Sequence, residues 1–315
     1  MRRTLSPALA FAVVPALALF AGVPASAQQI RLPQPSPYAR VELNVGITKV
    51  ALEYHRPAVK GRKLFGELVP WGEVWRLGAN DATVLELAND ATVAGKPLPA
   101  GKYALFAVPG KEKWTLIVNR EWQQWGHYFR KPSEDVLSFD VKPEAGPFTE
   151  WMTFSLNPTS ASSARVDWAW DSLRFSFPVE VDVQAIVWKQ LDAAMATASA
   201  AAASGSPRPD DYGIWMQAAR YARETGERKD KAMGWVEKSI SIRESFWNWE
   251  LKARLLDDAG KTADAVPAME KAIEIAKKGG PPKEYVEGLE RDLSAWKAKL
   301  PAPAAKPAGK KTPAK

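Results

Sequence analysis

VDWAWDSLRFSFPVEVDVQAIVWKQLDAA, residues 166–194, is where the hydrophobic period of the chain changes. Val166, Trp168 and Trp170, then Leu173, Phe175 and Phe177, alternate with small or polar residues, the period of two that a half-buried strand needs. From Val183 onward Ile186, Val187, Gln190, Leu191 and Ala194 recur at the three- and four-residue spacing of one helix face. The change occurs once and is not reversed. It divides the chain into an all-β module before it and an all-α module after it.

Toward the amino terminus the alternation repeats. Val50, Leu52 and Tyr54 share one face, with Lys49, Glu53 and His55 on the other. Tyr103, Leu105 and Ala107 behave alike, as do Trp114, Leu116 and Val118, and turn residues stand at Pro99-Ala100-Gly101 and Pro109-Gly110-Lys111. About nine such strands between residues 36 and 181 predict a β-sandwich, jelly-roll-like in type. Toward the carboxyl terminus the first helix runs into an Ala-rich stretch that ends at Ser204-Gly205-Ser206-Pro207. Beyond it Ala219 aligns with Ala253, Gly226 with Gly260, Ala232 with Ala265, Lys238 with Lys271 and Ile242 with Ile275, at a spacing of 33 to 34 residues. Each unit reads as helix, short turn at the glycine, helix. The helical module, residues 183–300, resembles tetratricopeptide repeats, with Pro282 to Leu300 as a closing helix.

The segment YHRPAVKGRKLFGELVPWGEVWRLGANDAT, residues 54–83, joins two strand-like runs and is rich in Gly, Pro, Trp and Arg. A connection of this length, about 25 residues or more, with so much apolar content reads as an ordered functional loop folded back on the scaffold. His55-Arg56-Pro57, Lys60-Gly61-Arg62, Phe65-Gly66, Leu68 to Gly72, Trp75-Arg76, Gly78-Ala79-Asn80 and Thr83, followed by Gly95-Lys96 and Leu98 to Tyr103, stand in one order. In that order they closely resemble a bacterial family known only as domain of unknown function 2911. The likeness runs from about Ser36 to Val181. It implies a β fold and an envelope location, and brings no established activity. Leu77 departs from the family, which more often has Thr there.

Residues 1–27 read as a secretory signal peptide: Arg2-Arg3, an apolar run from Leu5 to Val23, and Ala25-Ser26-Ala27 as the cleavage site. Periplasmic or secreted localisation follows, with no transmembrane segment left after cleavage. The chain has no Cys, which excludes disulfides, thiolate nucleophiles and Cys-ligated metals. Of the formal charge of +7, Arg2 and Arg3 supply two and Lys306, Lys310, Lys311 and Lys315 supply four, which leaves a nearly neutral body. Nucleic acid is therefore not expected as a partner. The tail, residues 301–315, is Pro, Ala and Lys rich and reads as disordered.

Gly260-Lys261-Thr262 imitates the end of a phosphate-binding loop, but Leu255 stands where its first Gly belongs. His55 and His127 are the only histidines, too few to expect a metal, and no cofactor motif appears. The candidate ligand-binding residues are Glu53, His55, Arg56, Arg62, Arg76, Asn80, Asp81 and Thr83, with Glu86 alongside. Arg offers a donor fork and Asn both donor and acceptor, a set suited to a small anionic or polar ligand. In the structural alternative Arg76 pairs with Glu53, Glu73 or Glu86 to clamp the loop, and Asn80 and Asp81 cap a turn. Trp122 and Trp125 read first as loop packing and second as a carbohydrate platform. The expected role is binding or assembly in the cell envelope, with the helical module meeting a peptide or protein. A hydrolase acting on envelope carbohydrate or peptide, for which Glu53 with Glu73 or Glu86 is the nearest carboxylate pair, is the alternative.

Overall fold

The computed structural model describes residues 33–300. The expected signal peptide, residues 1–27, and the tail, residues 301–315, lie outside the described residues. Ten strands come first: β1 Tyr38–Val45, β2 Thr48–His55, β3 Thr83–Leu87, β4 Ala91–Val93, β5 Lys96–Leu98, β6 Gly101–Val108, β7 Trp114–Asn119, β8 Asp135–Val141, β9 Glu144–Ser160 and β10 Ser163–Glu180. They form a six-stranded sheet ordered β1-β2-β3-β6-β7-β8 and a four-stranded sheet ordered β5-β4-β10-β9. Every pairing is antiparallel. The six-stranded sheet is a meander from which β4 and β5 depart to extend the other sheet.

Both sheets contribute to a single apolar core. Val50, Leu52 and Tyr54 of β2 meet in it with Leu105, Trp114 and Leu116 of the same sheet and with Trp168, Trp170, Phe175 and Phe177 of β10. The two apolar triplets of the opening stretch are therefore one strand. Their phase differs by one residue, which alone would turn the second triplet outward. The phase is restored at Asp171, which has a left-handed φ of 53° and on both sides of which the β9–β10 register shifts.

The 56–82 connection is ordered by its own apolar residues. Leu64, Val69, Trp75 and Leu77 are buried in the same core, and the Trp75 indole stacks 5.8 Å from that of Trp170 at an interplanar angle of 16°. Trp75 also exchanges backbone hydrogen bonds with Ala107 of β6. The loop is thus fastened to the rim of the six-stranded sheet.

Six helices follow: α1 Val183–Ala203, α2 Tyr212–Thr225, α3 Lys229–Ile242, α4 Phe246–Asp258, α5 Thr262–Lys277 and α6 Lys283–Lys299. Asp182 caps α1 by accepting from the Ala185 amide at 2.9 Å. In the paired helices α2–α3 and α4–α5, the aligned alanines Ala219, Ala253, Ala232 and Ala265 are wholly buried, where a methyl side chain lets the helices approach. Gly226 and Gly260 close the first helix of each pair with φ of 81° and 73°. No helix among the described residues is long and apolar enough to cross a membrane.

Candidate functional site

The outer face of the six-stranded sheet carries an ionic lattice. Arg40 of β1 stands opposite Glu53 of β2 in register and binds it, and its other Nη donates to Glu86 of β3 at 2.9 Å. Lys49 lies 3.3 Å from Glu86, and Lys102 of β6 lies 3.4 Å from Glu53 and 3.7 Å from Glu86. Burial works to raise the Glu86 carboxyl, but its bonds to Arg40 and Lys49 and the charge of Lys102 outweigh that and hold it below the usual carboxylate range. Glu86 is accordingly ionised, and both Glu53 and Glu86 are occupied by cations. They are not a free acid–base pair. The cation on Glu53 and Glu86 is Arg40, whose role depends on cross-strand register, and not Arg76, which the structural alternative placed there and which holds the turn through the Asn80 carbonyl instead.

The lattice borders the turn Gly78–Asp81. Leu77 and Asn80 both take left-handed backbone, with φ of 50° and 54°, a conformation that Asn tolerates and Leu adopts only under constraint. The constraint is visible. The Asn80 carbonyl accepts from Arg76 Nη1 at 3.2 Å and from the Gly126 amide at 3.0 Å, while the buried Thr83 hydroxyl donates to the Leu77 carbonyl at 2.7 Å. Thr83 is thus a fastening of the turn.

Asn80 Nδ2 is 3.1 Å from His55 Nδ1, and His55 Nε2 is 3.5 Å from Asp81 Oδ2. The Ser36 carbonyl is also 3.1 Å from His55 Nδ1, but the Asn80 amide reaches that carbonyl as well, at 3.4 Å. The Asn80 amide and the Ser36 carbonyl thus meet at Nδ1, while Nε2 faces the exposed Asp81 carboxylate. Arg56 and Arg62 serve the backbone instead. Arg56 donates to the Met152 carbonyl at 2.9 Å and to the Thr153 hydroxyl at 2.6 Å, and Arg62 to the Val59 and Ala58 carbonyls at 3.0 and 2.5 Å.

Facing His55 is the segment 120–134, whose base is tied by Asn119. This wholly buried side chain donates to the Lys131 carbonyl at 3.0 Å and to Asp135 at 2.8 Å, and accepts from the Glu121 amide at 2.9 Å. Trp122 packs on an outer-face cluster of Ala82, Ala104, Phe106 and Ile117, with Lys102 5.0 Å over its ring. Trp125, read first as packing, is 56% exposed, with Arg76 5.3 Å over its ring. Between this segment and the turn lies a pocket of about 330 Å³, lined by Tyr38, Glu53, His55, Asp81, Trp122 and Gln124 among others. Small-ligand pockets begin at about this size. Of the sequence-based candidates, Glu53, His55 and Asp81 line it, Asn80 orients the imidazole, and Arg56, Arg62 and Thr83 hold backbone. Tyr38 and Gln124 carry no motif signal, since their place depends on pairing between distant segments.

Residues 36–179 match the family model described as a protein of unknown function (DUF2911). Neither the curated proteins nor the solved structures contain a significant match to the chain.

Proposed function

We propose that this chain, whose residues 36–179 form a domain of the DUF2911 family, is a binding protein of the cell envelope, and that its β module takes a small polyhydroxylated ligand of the sugar class in the pocket beside His55. The observation that supports it most is the lining: indoles of Trp122 and Trp125 beside the imidazole of His55, the carboxylate of Asp81 and the amides of Gln123 and Gln124. A sugar ring offers apolar C–H edges to indole and hydroxyls that require both donors and acceptors, and this set supplies both. The carboxylates of Glu53 and Glu86 are engaged by cations, which favours binding over carboxylate-pair hydrolysis.

The helical module serves contact with a peptide or protein, a reading that rests on analogy with other stacked helix pairs and on the tetratricopeptide-like spacing of its alanines. The envelope location rests on the amino-terminal sequence. The adjacency of His55 and Asp81 favours one second reading, a hydrolase of envelope carbohydrate or peptide that uses His55 as its base.

Calorimetric titration of the mature protein with neutral and N-acetylated monosaccharides tests the first reading. A saturable heat is expected for at least one sugar, lost in His55→Ala and reduced about tenfold in Asp81→Asn, with melting unchanged in the latter. Absence of binding across the panel, or equal binding by both variants, contradicts it. Accumulation of cleaved product from an oligosaccharide would favour the second reading.

A further inference from the structure

A second hollow, of about 450 Å³, lies on the other side of the Gly78–Asp81 turn and is independent of the sugar reading. Its lining includes Arg62, Glu73, Arg76, Gly78, His127 and Tyr128. Three side chains of the lining, Trp170 included, carry buried polar atoms that lack a hydrogen-bond partner among the described residues: Arg76 Nε, His127 Nδ1 and Trp170 Nε1. A buried donor left unpaired costs the full loss of its hydration; Arg76 Nε is a donor in every state and His127 Nδ1 is one when it carries a proton, so an acceptor seated against these two side chains would relieve that cost. Among the described residues the Arg76 fork donates only from Nη1, to the Asn80 carbonyl at 3.2 Å, with its guanidinium over the Trp125 ring, and Arg62 also lines the hollow with its Nε and one Nη on backbone carbonyls. Against these cations the hollow has one carboxylate, the exposed Glu73, which forms no ion pair among the described residues.

We propose that this hollow is an oxyanion site that takes the carboxylate or phosphoryl group of a small ligand, with Arg76 as the donor fork and His127 as the second donor. Arg presents parallel donors matched to the oxygens of such a group. The charged and titratable groups that face His127 are Arg62, Arg76, Glu73 and Tyr128. Burial lowers the His127 imidazole below its usual value, the charge of Arg76 lowers it further, and Glu73 opposes them. An anion seated between Arg76 and His127 reverses the effect of Arg76, so binding takes up a proton and strengthens as pH falls.

The probe is sulfate, which keeps its charge across the working range, titrated into the mature protein against chloride at constant ionic strength. Sulfate is expected to bind, with affinity rising from about pH 8 to about pH 5. Arg76→Gln is expected to weaken it about tenfold or more, and His127→Gln to remove the pH dependence. Because Arg76 also holds the turn, Glu73→Gln gives an independent reading: this exposed side chain can be neutralised without disturbing packing, and affinity should rise about two- to fivefold. A small carboxylate and a phosphate monoester run in parallel tell which oxyanion source the site prefers. Sulfate binding no tighter than chloride, or no gain in Glu73→Gln, overturns the proposal.

Discussion

At the scale of single residues, the most consequential side chain is one that no motif announces. Arg40 joins Glu53 and Glu86 across three strands, and all three side chains are less than a third exposed. Arg40→Ala leaves two half-buried carboxylates with only lysines for partners, and unfolding by denaturant should show a loss of about 1–3 kcal/mol. The pH dependence has a definite sign. Glu86 is held below its unfolded value, so its stabilisation is complete above the usual carboxylate range and is lost as pH falls through and below that range. Acid unfolding of Arg40→Ala should therefore be less steep there than in the wild type. The site itself was legible in part. His55, at the end of β2, and Asn80 and Asp81, near the end of the connection that follows it, converge in space. Arg40, Asn119 and Gln124 were not legible, because each acts through strand register or a contact between distant segments, which sequence spacing does not encode.

Among the elements, periodicity carried most of the information. Strand alternation and the change to a helical period near Val183 locate both modules, because side-chain burial follows backbone geometry directly. Two features escaped it. The continuity of the apolar triplets either side of Asp171 was one, since a register irregularity shifts phase without breaking the strand. The short β4 and β5 offer three residues each, too few for a period to show. The glycines of the helical module give an element-scale test with opposite signs. Gly260 ends α4 at φ 73° with open space where a Cβ would lie, so Gly260→Ala should cost about 1 kcal/mol through backbone conformation alone. Gly234 lies inside α3, again with open space around it, and Gly234→Ala should stabilise by up to about 1 kcal/mol. Thermal melts of the two single variants check both signs.

For the whole molecule, the first helix joins the two modules. Val183 and Ile186 at its start pack with the β core, whereas Trp188, Leu191 and Met195 join Ala218 and Ala222 of α2 in a separate cluster. Lys189 of α1 also lies 3.6 Å from Asp90, in the turn before β4. The proposed binding pocket, by contrast, lies at one rim of the β module, where the 78–81 turn meets the 120–134 segment. Trp114, Trp168 and Trp170 are sealed in the core, while Trp122 and Trp125 stand at the pocket. The indole N–H resonances of the protein, assigned by Trp→Phe variants and followed during titration with the tightest-binding monosaccharide, therefore report on the central claim in one experiment. The expected result is movement of the Trp122 and Trp125 signals, with those of Trp114, Trp168 and Trp170 unmoved. Signals that shift only in the helical module, or none that shift at all, would contradict a sugar site beside His55.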